Sequence, residues 1–525
     1  MLLPLKNYTN RRVYVLGLGL SGKATLRALL AAKAEAYGCD DRIEDLATQH
    51  PKWPLLKNSE VSFQKDDVLV LSPGIPHTYP APHPLVVKAK QAGAILRSDI
   101  DLFAEHWPHK DPIIAITGTN GKSSTASLIH FTLCILGCCA QLGGNIGRSV
   151  LELNPCQKGP VVLELSSFQL DITDALRPYV SILLPITPDH LDRYQDFKAY
   201  ASSKLTLFEK THPEGLCFYA DDDPIQKAFA QKTALQLAPT FIPYALSKPL
   251  PDGFSLKAHQ ITEPLKNFSI PPQIWPEASH NPLSHEKFFK TSHIEPTPLT
   301  LPENLYALEG PGLIAAFGAL RTLGFEGTAI LSAFSKWPGL AHRYERVAVM
   351  PRSALFKTEK ATDTPSKPST HVTSKRDATQ RPLFINDSKA TNVESACYAL
   401  QKSQNDAIFW LVGGRAKKNS HLEAFKPLLK AVHKAFVFGE SAPLFEAFFK
   451  EEKIPHQVFH SLGKAIEAAF EDATRYLKIK RVGKRVLVLL APAAASFDEF
   501  SNFEARGDFF KKTLQHLMSN AEGST

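Results

Sequence analysis

The sequence predicts an α/β protein in three domains: a Rossmann-like N-terminal domain, a central P-loop-type domain built on a mostly parallel sheet, and a C-terminal Rossmann-like α/β domain. Three observations carry this. Short runs rich in Val, Ile and Leu alternate with helix-like segments along most of the chain, the pattern of buried parallel strands joined by crossover helices. Two of these runs end in glycine-rich turns that open a helix, at Gly17–Gly22 and at Thr117–Ser124. And 525 residues exceed what one hydrophobic core supports, so roughly two to four domains are expected.

Bulk properties exclude several classes. With 44% hydrophobic and 21% charged residues the composition is globular, and no apolar run is long enough to insert in a membrane. The opening Met1-Leu2-Leu3-Pro4-Leu5-Lys6 lacks the layout of a secretory signal. Seven cysteines without paired spacing point to reduced thiols and a cytoplasmic protein. Cys134, Cys138 and Cys139 fall in a helix-like apolar stretch and are expected to pack in the core rather than bind metal. The net charge of +8, from 60 basic and 52 acidic residues, comes with no stripe of interleaved arginines and aromatics, so no nucleic-acid partner is expected. A pocket for several phosphates accounts for a mild basic excess.

Residues 1–110 form the first block. Val13-Tyr14-Val15-Leu16 leads into Gly17-Leu18-Gly19-Leu20-Ser21-Gly22 and the helix-like Lys23–Leu30, a G-x-G-x-x-G fingerprint with strand before and helix after. Asp40, with Asp41 and Arg42, closes the next strand-like piece, where a Rossmann unit places the acid that takes a ribose hydroxyl. The pattern alone fits a dinucleotide or any other nucleoside diphosphate. A third run, Val68–Leu71, ends in the turn Ser72-Pro73-Gly74-Ile75-Pro76.

The second block, 111–345, opens with Ile113–Ile116 and the loop Thr117-Gly118-Thr119-Asn120-Gly121-Lys122-Ser123-Ser124. Its glycines turn backbone N–H groups toward an anion, and the helix start adds partial positive charge. Lys122 would reach terminal phosphates and the Ser123 hydroxyl would hold Mg²⁺. The strict P-loop spacing is not met, since Ile116 stands where that pattern has its first glycine. Gly143–Gly147, which includes Asn145, reads as a turn. Val161–Leu165 reads as a buried strand bearing one carboxylate, Glu164. A charge in such a run is costly unless paired or metal-bound, so ion binding is expected there. Val180–Leu184 then leads to Pro185-Ile186-Thr187-Pro188-Asp189-His190-Leu191-Asp192-Arg193. Open parallel sheets place their crevice at the C-terminal strand ends, which would gather Glu164, His190 and the phosphate loop on one edge. Residues 246–302, crowded with prolines, serines and histidines, read as an irregular insertion, and Gly312–Leu323 as helix.

The third block is 346–525. Within it, 352–382 is rich in Lys, Thr, Ser and Pro and nearly free of large apolar residues, the composition of a mobile insertion. Beyond that come Leu383–Asn392, the strand Ala407–Val412 with Gly413–Lys418, the strand Ala435–Gly439, and Val486–Leu490 running into Ala491–Asp498. Polar motifs again follow strands, where ligands bind.

In this order the motifs resemble the Mur ligases, ATP-dependent amino-acid ligases of peptidoglycan precursor synthesis and thus of cell-wall biogenesis, cell shape and cell division. The Thr117–Ser123 loop is common to that superfamily and its folylpolyglutamate relatives. Three narrower stretches resemble the D-glutamate-adding branch: Glu164-Leu165-Ser166-Ser167-Phe168-Gln169-Leu170, Asn386-Asp387-Ser388-Lys389-Ala390-Thr391-Asn392, and Ser496–Gly507. The Gly17–Gly22 turn agrees, because that branch uses a Rossmann-like domain for a UDP moiety rather than NAD. The resemblance spares about 246–302 and 352–382.

What the resemblance implies is an ATPase-type central domain and a ligase joining D-glutamate to UDP-N-acetylmuramoyl-L-alanine through an acyl phosphate, with release of ADP and phosphate. It implies ATP and two Mg²⁺ ions as cofactors, Mn²⁺ as a substitute, and a monomer whose partners are its small-molecule substrates. Gly118, Thr119, Asn120, Gly121, Lys122, Ser123 and Ser124 would bind ATP, with Arg343, Asp387 and Lys389 from the third domain. Lys122, Glu164, His190 and Lys204 would be catalytic. Ser123 and Glu164 would serve one metal, and His190 with a carbamylated Lys204 a second; pattern alone reads Lys204 as a solvated helix lysine. Leu20, Ser21, Asp40, Asp41, Arg42, Gly74, Asn145 and His190 would hold the UDP-sugar. Thr391, Lys417, Ser496, Phe497 and Phe503 would form the D-glutamate pocket. The chain departs from the family at Leu308–Ala316, which lacks the usual asparagines of the nucleotide pocket, and at Pro185, where an asparagine is common. Two alternatives follow: another amino-acid ligase of the superfamily, of folylpolyglutamate type, or a catalytically silent nucleotide-binding protein.

Overall fold

The computed structural model of the chain describes residues 2–234, 236–264, 298–302, 305, 310–349, 382–416, 421–479 and 484–523. It divides into two compact units, Met1–Pro338 and Gly339–Thr525. Among the described residues there are three sheets, two in the first unit and one in the second.

The first sheet holds β1 (Arg12–Leu16), β2 (Glu35–Cys39), β3 (Val68–Leu71) and β4 (Ile95–Arg97), ordered β2-β1-β3-β4 and parallel throughout. Val13, Val15, Val68 and Val70 point into one apolar core, while Tyr14, Leu16, Leu69 and Leu71 point into another. Burial on both faces is why these strands read as unbroken apolar runs rather than alternating ones.

The central sheet contains β5 (Ile113–Thr117), β6 (Gln141–Gly144), β7 (Val161–Glu164), β8 (Val180–Leu183), β9 (Leu216–Ala220), β10 (Thr240–Ala245), β11 (Phe254–Lys257), β12 (Gln260–Thr262) and β13 (Leu299–Thr300). Their order is β13-β12-β11-β10-β9-β8-β5-β7-β6. Parallel pairing runs from β6 through β11, and β12 and β13 add antiparallel edges. The described part of 246–302 thus extends the sheet, and 265–297 lies outside the described residues. The turn expected at 143–147 begins one step later, because Gly143 and Gly144 close β6.

The cysteine expectation needs correction. The helix Lys122–Ile135 buries Ala126, Leu128, Ile129, Thr132 and Leu133, so Cys134 falls off the buried stripe and is exposed. The chain turns at Gly137, which leaves Cys139 exposed as well; Cys138 alone of the three packs against the core.

The third sheet comprises β14 (Glu345–Val349), β15 (Leu383–Asn386), β16 (Ala407–Gly413), β17 (Val432–Phe438), β18 (His456–Phe459) and β19 (Val486–Leu490), ordered β14-β15-β19-β16-β17-β18. Only β14 is antiparallel. The stretch 352–381 lies outside the described residues. Among the described residues no helix is long and apolar enough to cross a membrane.

Candidate functional site

In the central sheet, β5 lies between β8 and β7, so chain connections leave its C-terminal end toward both sides. Ligands settle at such a switch point. Register sets the distances: Ile116 pairs with Glu164 on one side and Thr117 with Leu183 on the other. The Thr117–Ser124 loop, the last residue of β7 and the segment after β8 therefore share one edge.

The loop is braced against the segment after β8. Thr119 N–H donates to the Pro185 carbonyl at 3.2 Å, and the Thr119 hydroxyl donates to the Thr187 carbonyl at 3.0 Å. Pro185 meets the loop through its backbone, which asks nothing of its side chain. Gly118 has φ +146°, and a Cβ there would lie 2.5 Å from Leu184 Cβ, so no other residue fits. Lys122 Nζ reaches back over the loop to the carbonyls of Thr119 and Gly118, at 2.7 and 3.0 Å. Ser123, the second residue of the following helix, is buried.

Glu164 is buried at the end of β7. Asn145 Nδ2 donates to its Oε1 at 2.9 Å, while its Oε2 is buried with no hydrogen-bond partner. A buried carboxylate with one oxygen held and the other vacant is an expensive arrangement that a cation relieves. The donor set fits a hard divalent ion completed by a hydroxyl and phosphate oxygens. Among the described residues no group of three His, Cys, Asp or Glu side chains could hold a metal by itself.

Lys204 is buried on the helix Phe197–Glu209, its Nζ 4.7 Å from the centre of the Tyr200 ring. The pattern-based view of a solvated lysine is overturned: this helix turns Lys204, Ser203 and Leu207 inward. Burial pushes its ammonium well below the ordinary lysine value, and the nearby Lys122 charge adds to the effect against Asp189, Asp171 and Glu164. Those neighbours also mark the position of Lys204 beside the loop and Glu164. His190 adopts φ +54°, and its ring meets Phe168 edge-on at 5.0 Å.

The N-terminal glycine turn places Leu20 at the start of its helix with 93% of its surface exposed, and Ser21 beside it. Asp40 is hydrogen-bonded through both carboxylate oxygens. Its Oδ2 accepts from Leu18 N–H at 2.7 Å and its Oδ1 from Arg42 N–H at 2.9 Å, which ties the glycine turn to the end of β2. Asp41, one residue on, points to a cavity instead. Gly74 is joined to the central sheet by Arg193, whose Nη1 donates to its carbonyl at 2.9 Å. The Arg193 guanidinium lies 4.6 Å over the Phe168 ring, the ring that also touches His190. Arg193 sits within the motif read around His190, yet nothing in its spacing signals this bridging position.

The second unit gathers its own constellation at the C-terminal ends of β15 and β19. Arg506 is wholly buried and donates from Nε to Ser388 Oγ, from Nη2 to the Ser388 carbonyl and from Nη1 to the Ala494 carbonyl, at 3.0, 2.8 and 3.0 Å. With neutral acceptors only in contact, burial pushes its guanidinium down to about 10. It ties the loop carrying Asp387, Lys389 and Thr391 to the loop carrying Ser496. Lys389 Nζ lies 4.0 Å from the centre of the Phe503 ring. Asp387 accepts from Tyr344 N–H at 3.1 Å, and burial raises its carboxyl to about 6 against the charges of Arg343 and Lys402. Ser496 is buried and Phe497 is 62% exposed. Lys417 lies outside the described residues. Arg506 belongs to a stretch whose pattern was informative, but its clamp is visible only in three dimensions; Lys402 has no signal in sequence.

Comparison with known proteins adds the following. The Mur ligase middle domain matches residues 116–269. The UDP-N-acetylmuramoylalanine–D-glutamate ligase of Nitrobacter winogradskyi is 34% identical over 533 residues, 98% of each chain. That of Dinoroseobacter shibae is 33% identical, covering 98% of this chain and all of its own. The fold is similar to the UDP-N-acetylmuramate–alanine ligase of Thermotoga maritima, with a TM-score of 0.53 at 14% identity over 96% of this chain and 99% of that one.

Proposed function

The chain belongs to the UDP-N-acetylmuramoylalanine–D-glutamate ligases of the Mur ligase family, and from that premise we propose how its own residues carry the reaction. The observation that supports this reading best is the buried, half-satisfied Glu164 at the end of β7, register-paired beside the phosphate loop.

The loop N–H groups and Lys122 hold the ATP phosphates, so that negative charge on the transferring phosphoryl group meets fixed positive charge. Ser123 and Glu164 hold a magnesium ion, and Asn145 keeps Glu164 in the orientation that leaves Oε2 available. His190 and Lys204 serve a second ion, with Mn²⁺ able to substitute. When bound, such ions neutralise phosphate charge and align the reacting oxygens. Lys204, disfavoured as an ammonium, reacts with CO₂ as the neutral amine to give a carbamate and a proton, which turns a buried cation into an anionic ligand. The substrate carboxylate attacks the γ-phosphorus and ADP leaves. The D-glutamate amine then attacks the acyl carbon, phosphate departs, and the amine loses a proton. Thr391, Lys417, Ser496, Phe497 and Phe503 receive the D-glutamate, and Arg343, Asp387 and Lys389 contribute to the nucleotide. The enzyme acts as a cytoplasmic monomer.

The test is phosphate release with ATP, Mg²⁺ and UDP-N-acetylmuramoyl-L-alanine, comparing D-glutamate with L-glutamate and other amino acids. Release with D-glutamate alone is expected. Release with another acceptor overturns the D-glutamate pocket, and no release with any acceptor overturns the ligase assignment.

A further inference from the structure

The two side chains that the ligase reading gives to a second ion, His190 and Lys204, are seated on the same pair of rings. His190 meets Phe168 edge-on at 5.0 Å and lies 6.1 Å from Tyr200, while Lys204 Nζ stands 4.7 Å from the centre of Tyr200. Phe168 belongs to the helix Ser167–Ile172, just beyond Glu164, and Tyr200 to the helix Phe197–Glu209. A third ring packs against both. Tyr194 stacks on Phe168, with centres 5.8 Å and planes 7° apart, and meets Tyr200 edge-on at 5.4 Å. Tyr194 is buried, and its hydroxyl donates to Asp171 Oδ2 at 2.6 Å, since a carboxylate only accepts. The same oxygen lies 3.3 Å from the hydroxyl of Ser203, the neighbour of Lys204, which donates to the Ser167 carbonyl at 3.0 Å. The helix that follows Glu164 and the helix that carries Lys204 are thus fastened to each other around Tyr194. None of Tyr194, Asp171 and Ser203 is among the residues assigned above to a ligand.

We propose that Tyr194 is a positioning residue for the ligase reaction: wedged against Phe168 and Tyr200 and tethered to Asp171, it sets where His190 and Lys204 stand, and through that how fully Lys204 is converted to its carbamate. The proposal rests on the carbamate reading of Lys204. In that step the neutral amine forms a bond to the carbon of CO₂ and releases a proton, and the resulting anion persists only where its surroundings are arranged to receive it. Groups that orient a metal's ligands from behind are worth roughly 10- to 100-fold in affinity or activity without touching the reacting atoms. A tyrosine that merely filled space would act on stability alone. Tyr194 differs in having its ring against both seats and its hydroxyl tied to a carboxylate on the helix of one of them.

The full-length protein equilibrated with ¹³C-labelled bicarbonate, its carbamate carbon followed by NMR beside kcat and KM, tests this. Wild type should give a carbamate resonance that Lys204→Ala lacks. Tyr194→Phe keeps the ring and loses the tether. Its carbamate resonance should fall severalfold and its kcat roughly tenfold, while the KM for ATP should hold, because the phosphate loop is untouched. Raising the bicarbonate concentration should restore both, which a mere loss of folded protein would not allow. Asp171 is exposed, so substitutions there are expected to fold. Asp171→Asn and Asp171→Leu remove the same charge at similar volume, but only asparagine keeps an acceptor for the Tyr194 hydroxyl. Asp171→Asn should hold the resonance at or above the wild-type level, and Asp171→Leu should match Tyr194→Phe. A wild-type resonance and kcat in Tyr194→Phe, or a loss of kcat that bicarbonate does not restore, overturns the proposal and leaves the ligase reading intact. A wild type without a Lys204-dependent resonance overturns the carbamate reading, and this proposal with it.

Discussion

An amine packed under Tyr200 and closed off from water must shed its proton or gain an opposite charge. Lys204→Ala should therefore abolish turnover while leaving the fold intact, and a small carboxylate such as acetate should restore part of it by taking the place of the proposed carbamate. Phosphate release measured with and without added acetate reads this directly; unaffected turnover in the variant sinks the assigned role. Lys122→Ala removes charge from the phosphate cradle and should lower kcat by roughly 10²–10³-fold; a kcat within a few-fold of wild type removes Lys122 from the mechanism. Arg506 is a different case, because it touches no reacting atom. Arg506→Met leaves the Ser388 and Ala494 carbonyls without their donor in a dry interior, while the Ser388 hydroxyl keeps its bond to the Phe503 carbonyl at 2.8 Å; the cost is on the order of 2–4 kcal/mol. Urea unfolding of the isolated variant gives the value, and a change below about 0.5 kcal/mol contradicts the clamp. The placement of Lys122 at the glycine loop and of Glu164 at the end of a buried strand was legible because each needs only a glycine loop or an apolar run around it. The burial of Lys204, the bracing duty of Asp40 and the clamp by Arg506 depend on residues as far as 82, 22 and 118 positions away, and no local pattern encodes that.

At the level of elements, the apolar strands were readable because β1, β3, β5, β7 and β19 are buried on both faces and are dominated by apolar residues, chiefly Val, Ile and Leu. The cysteines were misread for the complementary reason: a helix buries one stripe, and hydrophobicity averaged over its length does not say where the stripe falls. A helix start offers a further pH test. Asp99 is buried at the first turn of Asp99–His106 with Ile100 N–H on Oδ1 at 3.0 Å, and burial raises its carboxyl to about 6 from 3.8. The folded state thus holds this proton more tightly than the unfolded chain. Its stabilising effect is full below about pH 4 and is lost as pH rises through about 6. Asp99→Asn should remove that part of the pH dependence and be relatively more stable at pH 7 than at pH 4.5. Urea midpoints at the two pH values, compared with wild type, decide it; an unchanged difference rules Asp99 out as the source.

On the scale of the whole molecule, two compact units carry three sheets. A single apolar core runs from Val13, Val68 and Phe103 through Ala115, Leu163 and Leu207, so the first two sheets are continuous in packing. The third sheet has two cores of its own, drawn wholly from beyond residue 339. Expressed alone, 339–525 should unfold cooperatively in urea and show no phosphate release, whereas 1–110 alone should expose the shared core and aggregate. A non-cooperative transition for 339–525 contradicts its independence. The order of the three blocks was legible from their strand and glycine patterns; the shared core was not, because an apolar residue's sequence does not name which sheet it will meet.

Arg193 ends one chain of contacts and starts another: its guanidinium holds the Gly74 carbonyl, on the side proposed for the sugar nucleotide, and lies over Phe168, against which His190 packs, on the side proposed for the phosphates. Any coupling between two ligands that each settle one end of such a relay is reciprocal by thermodynamic necessity. Sugar nucleotide should tighten ATP binding by the same factor by which ATP tightens sugar nucleotide. Arg193→Lys keeps the charge but not the planar fork that spans both partners, so the factor should fall toward unity while each ligand alone binds nearly as before. Cooperativity between substrates would then be a property of one side chain, lost without any loss of either binding site.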